Sequence, residues 1–129
     1  MAETNQDVDF IRGPITRTCS EAITPSGCVL QVDADGKVSI SDANDDPHIG
    51  VAAHTTSAAD ERITVNPLQG FQYLRAGGAI NEGDWLTVET GGRVIPSTTD
   101  THELVGRAVE AAADGDLFLV ACGISRYAG

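Results

Sequence analysis

The chain repeats itself. Ala22-Ile23-Thr24 followed by Gly27-Cys28-Val29-Leu30-Gln31-Val32 matches Ala79-Ile80-Asn81 followed by Gly83-Asp84-Trp85-Leu86-Thr87-Val88. The register then holds: Gly36-Lys37-Val38 returns as Gly92-Arg93-Val94 and Ile49-Gly50-Val51-Ala52 as Val105-Gly106-Arg107-Ala108, each glycine 56 residues further on. Two copies cannot make a solenoid, which needs about three or more repeats to bury its stacked faces. They predict one barrel or sandwich closed from two similar halves, about 22–75 and 79–129.

Within each half the local pattern is that of strands. Trp85 to Val88 and Arg93 to Ile95 flank Glu89-Thr90-Gly91-Gly92, and Cys28 to Val32 and Lys37 to Ile40 flank Asp33-Ala34-Asp35-Gly36. Short β-rich runs around a glycine-bearing connection read as hairpins, because glycine enters the positive-φ conformations of a tight turn without steric cost. Ile49 to Ala53, Arg62 to Val65, Phe71 to Leu74, Leu104 to Val109 and Leu117 to Val120 supply further strands. Leu104 to Ala113 is rich in helix formers, and propensity alone would make it a short helix. The first copy places the poor helix formers Thr55, Thr56 and Ser57 at the equivalent position, so a strand running into an Ala-rich loop is expected. The fold class is all-β: a compact barrel or sandwich of short strands, entered by an extended N-terminal arm over residues 1–18, with 19–129 as a single domain.

Composition sets the interior and the surface. Hydrophobic residues make up 41% of the 129-residue chain but aromatics only 5%. A chain of this length buries about two thirds of its unfolded surface, and here it must do so mainly with Val, Ile, Leu and Ala; each aromatic is expected to fill core, with one or two anchoring a subunit contact. Nineteen acidic residues stand against eight basic ones, a formal charge of −11, with Lys37 the sole lysine. Such a surface repels phosphate backbones and argues against direct nucleic-acid binding. It also suits concentrated salt, where screening lengths shrink to ~3 Å near 1 M. No apolar run approaches the roughly 18 residues of a membrane helix, and acidic Met1 to Asp9 has no signal-peptide pattern, so neither membrane insertion nor a cleaved leader is expected.

The residues that carry chemistry elsewhere are not arranged for it here. Cys19, Cys28 and Cys122 form no C-x-x-C and have no histidine at zinc-ligand spacing, so they read as small core residues and no metal is expected. Asp33-Ala34-Asp35-Gly36 opens like a calcium loop, but its twelfth position is Asn44 where a bidentate Glu is required. His48 near Asp46 and His102 beside Glu103 pair base and carboxylate in sequence, yet no serine or cysteine sits in a nucleophile elbow and no Gly-rich phosphate loop precedes a helix. Neither an enzyme nor a cofactor is expected.

Ala79-Ile80, Glu82-Gly83-Asp84, Gly92-Arg93-Val94, Leu104-Val105-Gly106-Arg107-Ala108 and Ala113-Asp114-Gly115-Asp116 resemble the small capsid decoration, or cement, proteins of tailed bacteriophages and archaeal tailed viruses. The resemblance is clearest over about the last fifty residues, returns weaker from Ala22 to Val65, and leaves out Met1 to Thr18. It rests on glycine and alanine punctuation, with no chemical signature. It implies a homo-oligomer, commonly a trimer, bound to the major capsid protein on the outer face of a viral head.

The N-terminal segment has sparse apolar residues, with Val8 and Phe10 alternating with Asp7 and Asp9. Three readings are open: an arm that adds a strand to a neighbour's edge, a disordered tail, or the first strand of the chain's own sheet. In the first, Val8, Phe10, Ile11 and Arg12 are the candidate capsid contacts. Two functional classes follow from the whole sequence: a virion structural protein that clamps capsid subunits, or a small ligand- or carbohydrate-binding β domain of a salt-adapted organism. An oligomer without a pocket favours the first, a monomer with an aromatic-lined groove the second.

Overall fold

A computed structural model describes residues 13–43, 46–98 and 104–123. The candidate contacts Val8, Phe10, Ile11 and Arg12 lie outside the described residues. Ten short strands form two antiparallel five-stranded sheets in a compact, sandwich-like body. β1 (Ile15–Thr18), β2 (Val29–Val32), β3 (Val38–Ile40), β4 (His48–Ala52) and β5 (Arg62–Pro67) make the first sheet, in the order β1-β5-β4-β2-β3. β6 (Gly70–Arg75), β7 (Trp85–Val88), β8 (Val94–Pro96), β9 (Gly106–Ala108) and β10 (Leu117–Cys122) make the second, in the order β6-β10-β9-β7-β8. Adding five to each number of the first order gives the second.

The duplication extends to single hydrogen bonds. Gly27 N donates to Ala52 O at 3.0 Å and Gly83 N to Ala108 O at 2.8 Å; Asp33 N donates to Lys37 O and Glu89 N to Arg93 O, both at 2.9 Å. Asp60 N reaches Cys19 O and Gly115 N reaches Ala76 O, both at 2.8 Å. Cys19 bridges Val38 as Ala76 bridges Val94. The two copies therefore begin at β1 and β6, and Phe71 to Leu74, expected at the close of the first half, opens the second. Ile15–Thr18, the end of the expected arm, is the edge strand of the first sheet, paired with β5 from Ile15–Val65 to Thr18–Arg62.

Two matched glycines explain why β4 and β9 take their places. A methyl on Gly50 would overlap the carbonyl of Asn66 and the Val65 side chain; one on Gly106 would overlap the carbonyl of Ala121 and approach Val120 Cγ1. Each glycine lets the neighbouring strand, β5 or β10, lie close against it. That pairing also decides the Ala-rich stretch: Gly106–Ala108 is a strand bonded to β7 and β10, and Ala112 exchanges backbone hydrogen bonds with Ile80. Helix propensity yields to two strands that already supply backbone partners.

The core is aliphatic. Ile23, Leu30, Val38, Ile63 and Val65, with Cys19, Cys28 and Ala52, fill the first half. Leu74, Leu86, Val88, Val94, Phe118 and Val120 fill the second, where Val29 and Val51 of the first sheet join them. Phe118 is fully buried, but Phe71 and Tyr73 are 72% and 59% exposed, contrary to the expectation that aromatics fill the core. Both lie on β6, an edge strand whose odd-numbered side chains face away from buried Leu74.

Candidate attachment surface

The two halves meet along one seam, and β6 borders it. Arg75 N donates to Gly27 O at 3.0 Å, and the Arg75 guanidinium donates to Ser26 O at 3.1 Å and to Gly115 O at 3.1 Å, tying the β6 end to the turn before β2. Leu117 packs directly on Gly27, whose φ of +83° and missing side chain admit it. Above this contact an open groove of about 350 Å³ runs between the sheets, lined by Val51, Ala53 and Asn66 on one side and Phe71, Tyr73 and Leu117 on the other. Phe71, Tyr73, Leu117 and Val109 are four of the six large hydrophobic residues exposed among the described residues, and all belong to the second half. Nearby, the Arg107 guanidinium lies 4.9 Å from the centre of the Trp85 ring and donates to Gly83 O at 2.9 Å.

Titratable groups do not converge there. His48 Nδ1 hydrogen-bonds Ser41 Oγ at 2.9 Å. His54 is occupied by its own backbone: Nε2 accepts from Thr64 N at 3.1 Å and Nδ1 donates to Thr55 O at 3.1 Å. At the matching place in the second half Glu110 Oε2 accepts from Leu119 N at 2.9 Å, so His54 does the work that a carboxylate does in the other copy. His102 lies outside the described residues. Asp46 Oδ2 accepts from the amides of Asp42 and Ala43, closing its own loop. Among the described residues no three His, Cys, Asp or Glu side chains group to hold a metal.

The Asp33 turn is a hairpin connection, as its missing ligands imply. A hydrogen bond from Ser20, with the amides of Asp35 and Lys37, holds the Asp33 carboxyl below the usual range. The cysteines are all free and buried. Burial pushes the Cys28 and Cys122 thiols up to about 11, which makes them inert core residues. The exposed β6 aromatics are the surface feature that sequence reasoning placed wrongly. Phe71 and Tyr73 alternating with Gln72 on a strand between two turns was the available signal.

No protein-family model matches the chain, and no curated protein matches it. Its fold is that of a known viral structure. The chain is similar to the crystal structure described as head fiber gp8.5 N base in bacteriophage phi29, with a TM-score of 0.69 and 21% identity, covering 90% of this chain and 98% of that one. At that identity the likeness establishes the fold.

Proposed function

We propose that this protein is a structural component of a tailed-virus particle, attached to the outer surface of the head. The single observation that carries the reading is the fold shared over nearly the whole length with a phage head fiber base. The cement-protein resemblance read from the sequence points to the same class. The chain works as a decoration protein: a rigid β body binds the major capsid protein and holds adjacent subunits together. A homo-oligomer, a trimer by the resemblance, gives several modest footprints on a repeating lattice, and their avidity exceeds that of any one contact. The acidic surface faces solvent, and Val8, Phe10, Ile11 and Arg12 extend each footprint.

Co-sedimentation with heads that lack the protein tests this. Wild-type chain should pellet with heads and saturate at a fixed ratio to the major capsid protein. Failure to pellet, or binding without saturation, refutes it.

The β6 groove favours a second reading, in which Phe71 and Tyr73 stack a sugar ring while the Asn66 side chain hydrogen-bonds its hydroxyls. A panel of oligosaccharides titrated against the protein separates the two. Saturable shifts confined to groove residues support the ligand-binding domain.

A further inference from the structure

The two cores meet the surface differently at one matched corner. In the second half Leu68, in the connection between β5 and β6, packs against the core that includes Val105, Val120 and Cys122. A methyl on Gly123 would meet the Leu68 carbonyl, so this connection folds over the end of β10. In the first half the corner is a pocket of about 190 Å³, lined among the described residues by Gly13, Ile15, Ile49, Val65 and Pro67. Val65 is buried in the first core and Ile49 packs against that core. Ile15, directly across from Val65, is still 39% exposed.

The repeat makes these two corners one place. Cys19 N donates to Glu61 O as Ala76 N donates to Asp116 O, which sets Cys19 against Ala76. The strand registers carry the match back along the edge: Ile15 pairs with Val65 as Gln72 pairs with Val120. Pro67 and Ile49 correspond in turn to Cys122 and Val105. Further back, Ile11-Arg12-Gly13 falls on Leu68-Gln69-Gly70, so the same order of apolar residue, polar residue and glycine precedes both edge strands.

We infer that Ile11 closes the first core, its side chain filling the pocket at Gly13, Ile15, Ile49, Val65 and Pro67 as Leu68 closes the second. The occupant is this segment of the same chain, because Gly13 lines the pocket and Ile11 is two residues from it, a reach of about 7 Å. No charged side chain lines the pocket among the described residues, which suits an isoleucine. In an extended run, alternation then turns Val8, Phe10 and Arg12 to the opposite side. Of the four candidate contacts, Ile11 serves the footprint from within, by fixing where the arm leaves the body. The inference goes beyond the functional reading and needs no head for its test.

Thermal melts and methyl NMR of the intact chain provide that test. Ile11→Ala should lower Tm by roughly 5–8 °C, about as far as Leu68→Ala, since each removes packed methyl groups from the rim of a core. Ile11→Leu, which installs the matched residue, should stay within about 2 °C of wild type. Phe10→Ala, on the other side of the run, should leave Tm unchanged. In wild type, methyl contacts should join Ile11 to Ile15, Ile49 and Val65 within one chain. Ile11→Ala melting with wild type, or no contact from Ile11 to these three residues, overturns the inference. Contacts found only between differently labelled chains overturn it too, by giving the pocket to a neighbour's arm. Head binding is a separate readout: a filled pocket without binding refutes the functional reading alone, and binding without the Ile11 contacts refutes this inference alone.

Discussion

Replacing either Gly50 or Gly106 by alanine should damage the fold through sterics alone. Neither glycine has a positive φ, so alanine suits the backbone and by itself would favour the strand by about 0.5–1 kcal/mol. The added methyl instead meets a carbonyl of the paired strand, Asn66 O or Ala121 O, together with a valine. A carbonyl in a ladder cannot swing away as a flexible side chain can. The collision therefore costs about 3 kcal/mol, the upper part of the overpacking range, for a net loss of about 2 kcal/mol.

For a chain of this size that lowers Tm by roughly 6–10 °C. Gly78, with no described residue near its missing side chain and no positive φ, is the control, and Gly78→Ala should be neutral or slightly stabilising. Thermal melts of the three variants decide the matter. If Gly50→Ala and Gly106→Ala melt with the Gly78→Ala control, the close strand approach does not hold the two sheets as described.

Other consequences are separable. The raised Cys28 pKa means that its contribution is complete below pH about 9 and is lost as pH rises through about 11, roughly 3 kcal/mol for that thiol. Melts at pH 7 and pH 10.5 should show this loss, and Cys28→Ala should shrink it; an unchanged loss refutes the assignment. If the −11 charge reflects salt adaptation, Tm should rise between low and molar salt, and a flat response removes that reading. Deleting residues 1–12 should leave the sheets folded, since β1 begins at Ile15, while weakening attachment to heads; unchanged occupancy counts against a role for Val8, Phe10, Ile11 and Arg12.

The repeat was legible where backbone geometry dictates the residue. Gly36 and Gly92 turn hairpins at φ of +77° and +71°, and Gly50 and Gly106 admit a strand, so the same residue is required in both copies. The opening edge strands, β1 and β6, were not legible as a pair. Ile15-Thr16-Arg17-Thr18 and the β6 sequence share almost nothing, because most of their side chains are exposed and little constrained, whereas the other edge pair, β3 and β8, is fixed by the matched turns Gly36-Lys37-Val38 and Gly92-Arg93-Val94. Phe71 and Tyr73 were misplaced for the same reason: aromatic character signals burial on average, and nothing local marks the edge. The equivalence of His54 and Glu110 was hidden too, since an imidazole and a carboxylate accept the same backbone hydrogen bond. The seam depends on how the halves are set against each other, which no local pattern encodes.

The central claim is that this duplicated β body serves a particle by binding its surface. Imaging heads assembled with and without the protein addresses it most directly. The account predicts added density at regularly repeated positions on the outside of the head, shaped as pairs of five-stranded sheets. Identical heads in both preparations, or density confined to the interior, would contradict it.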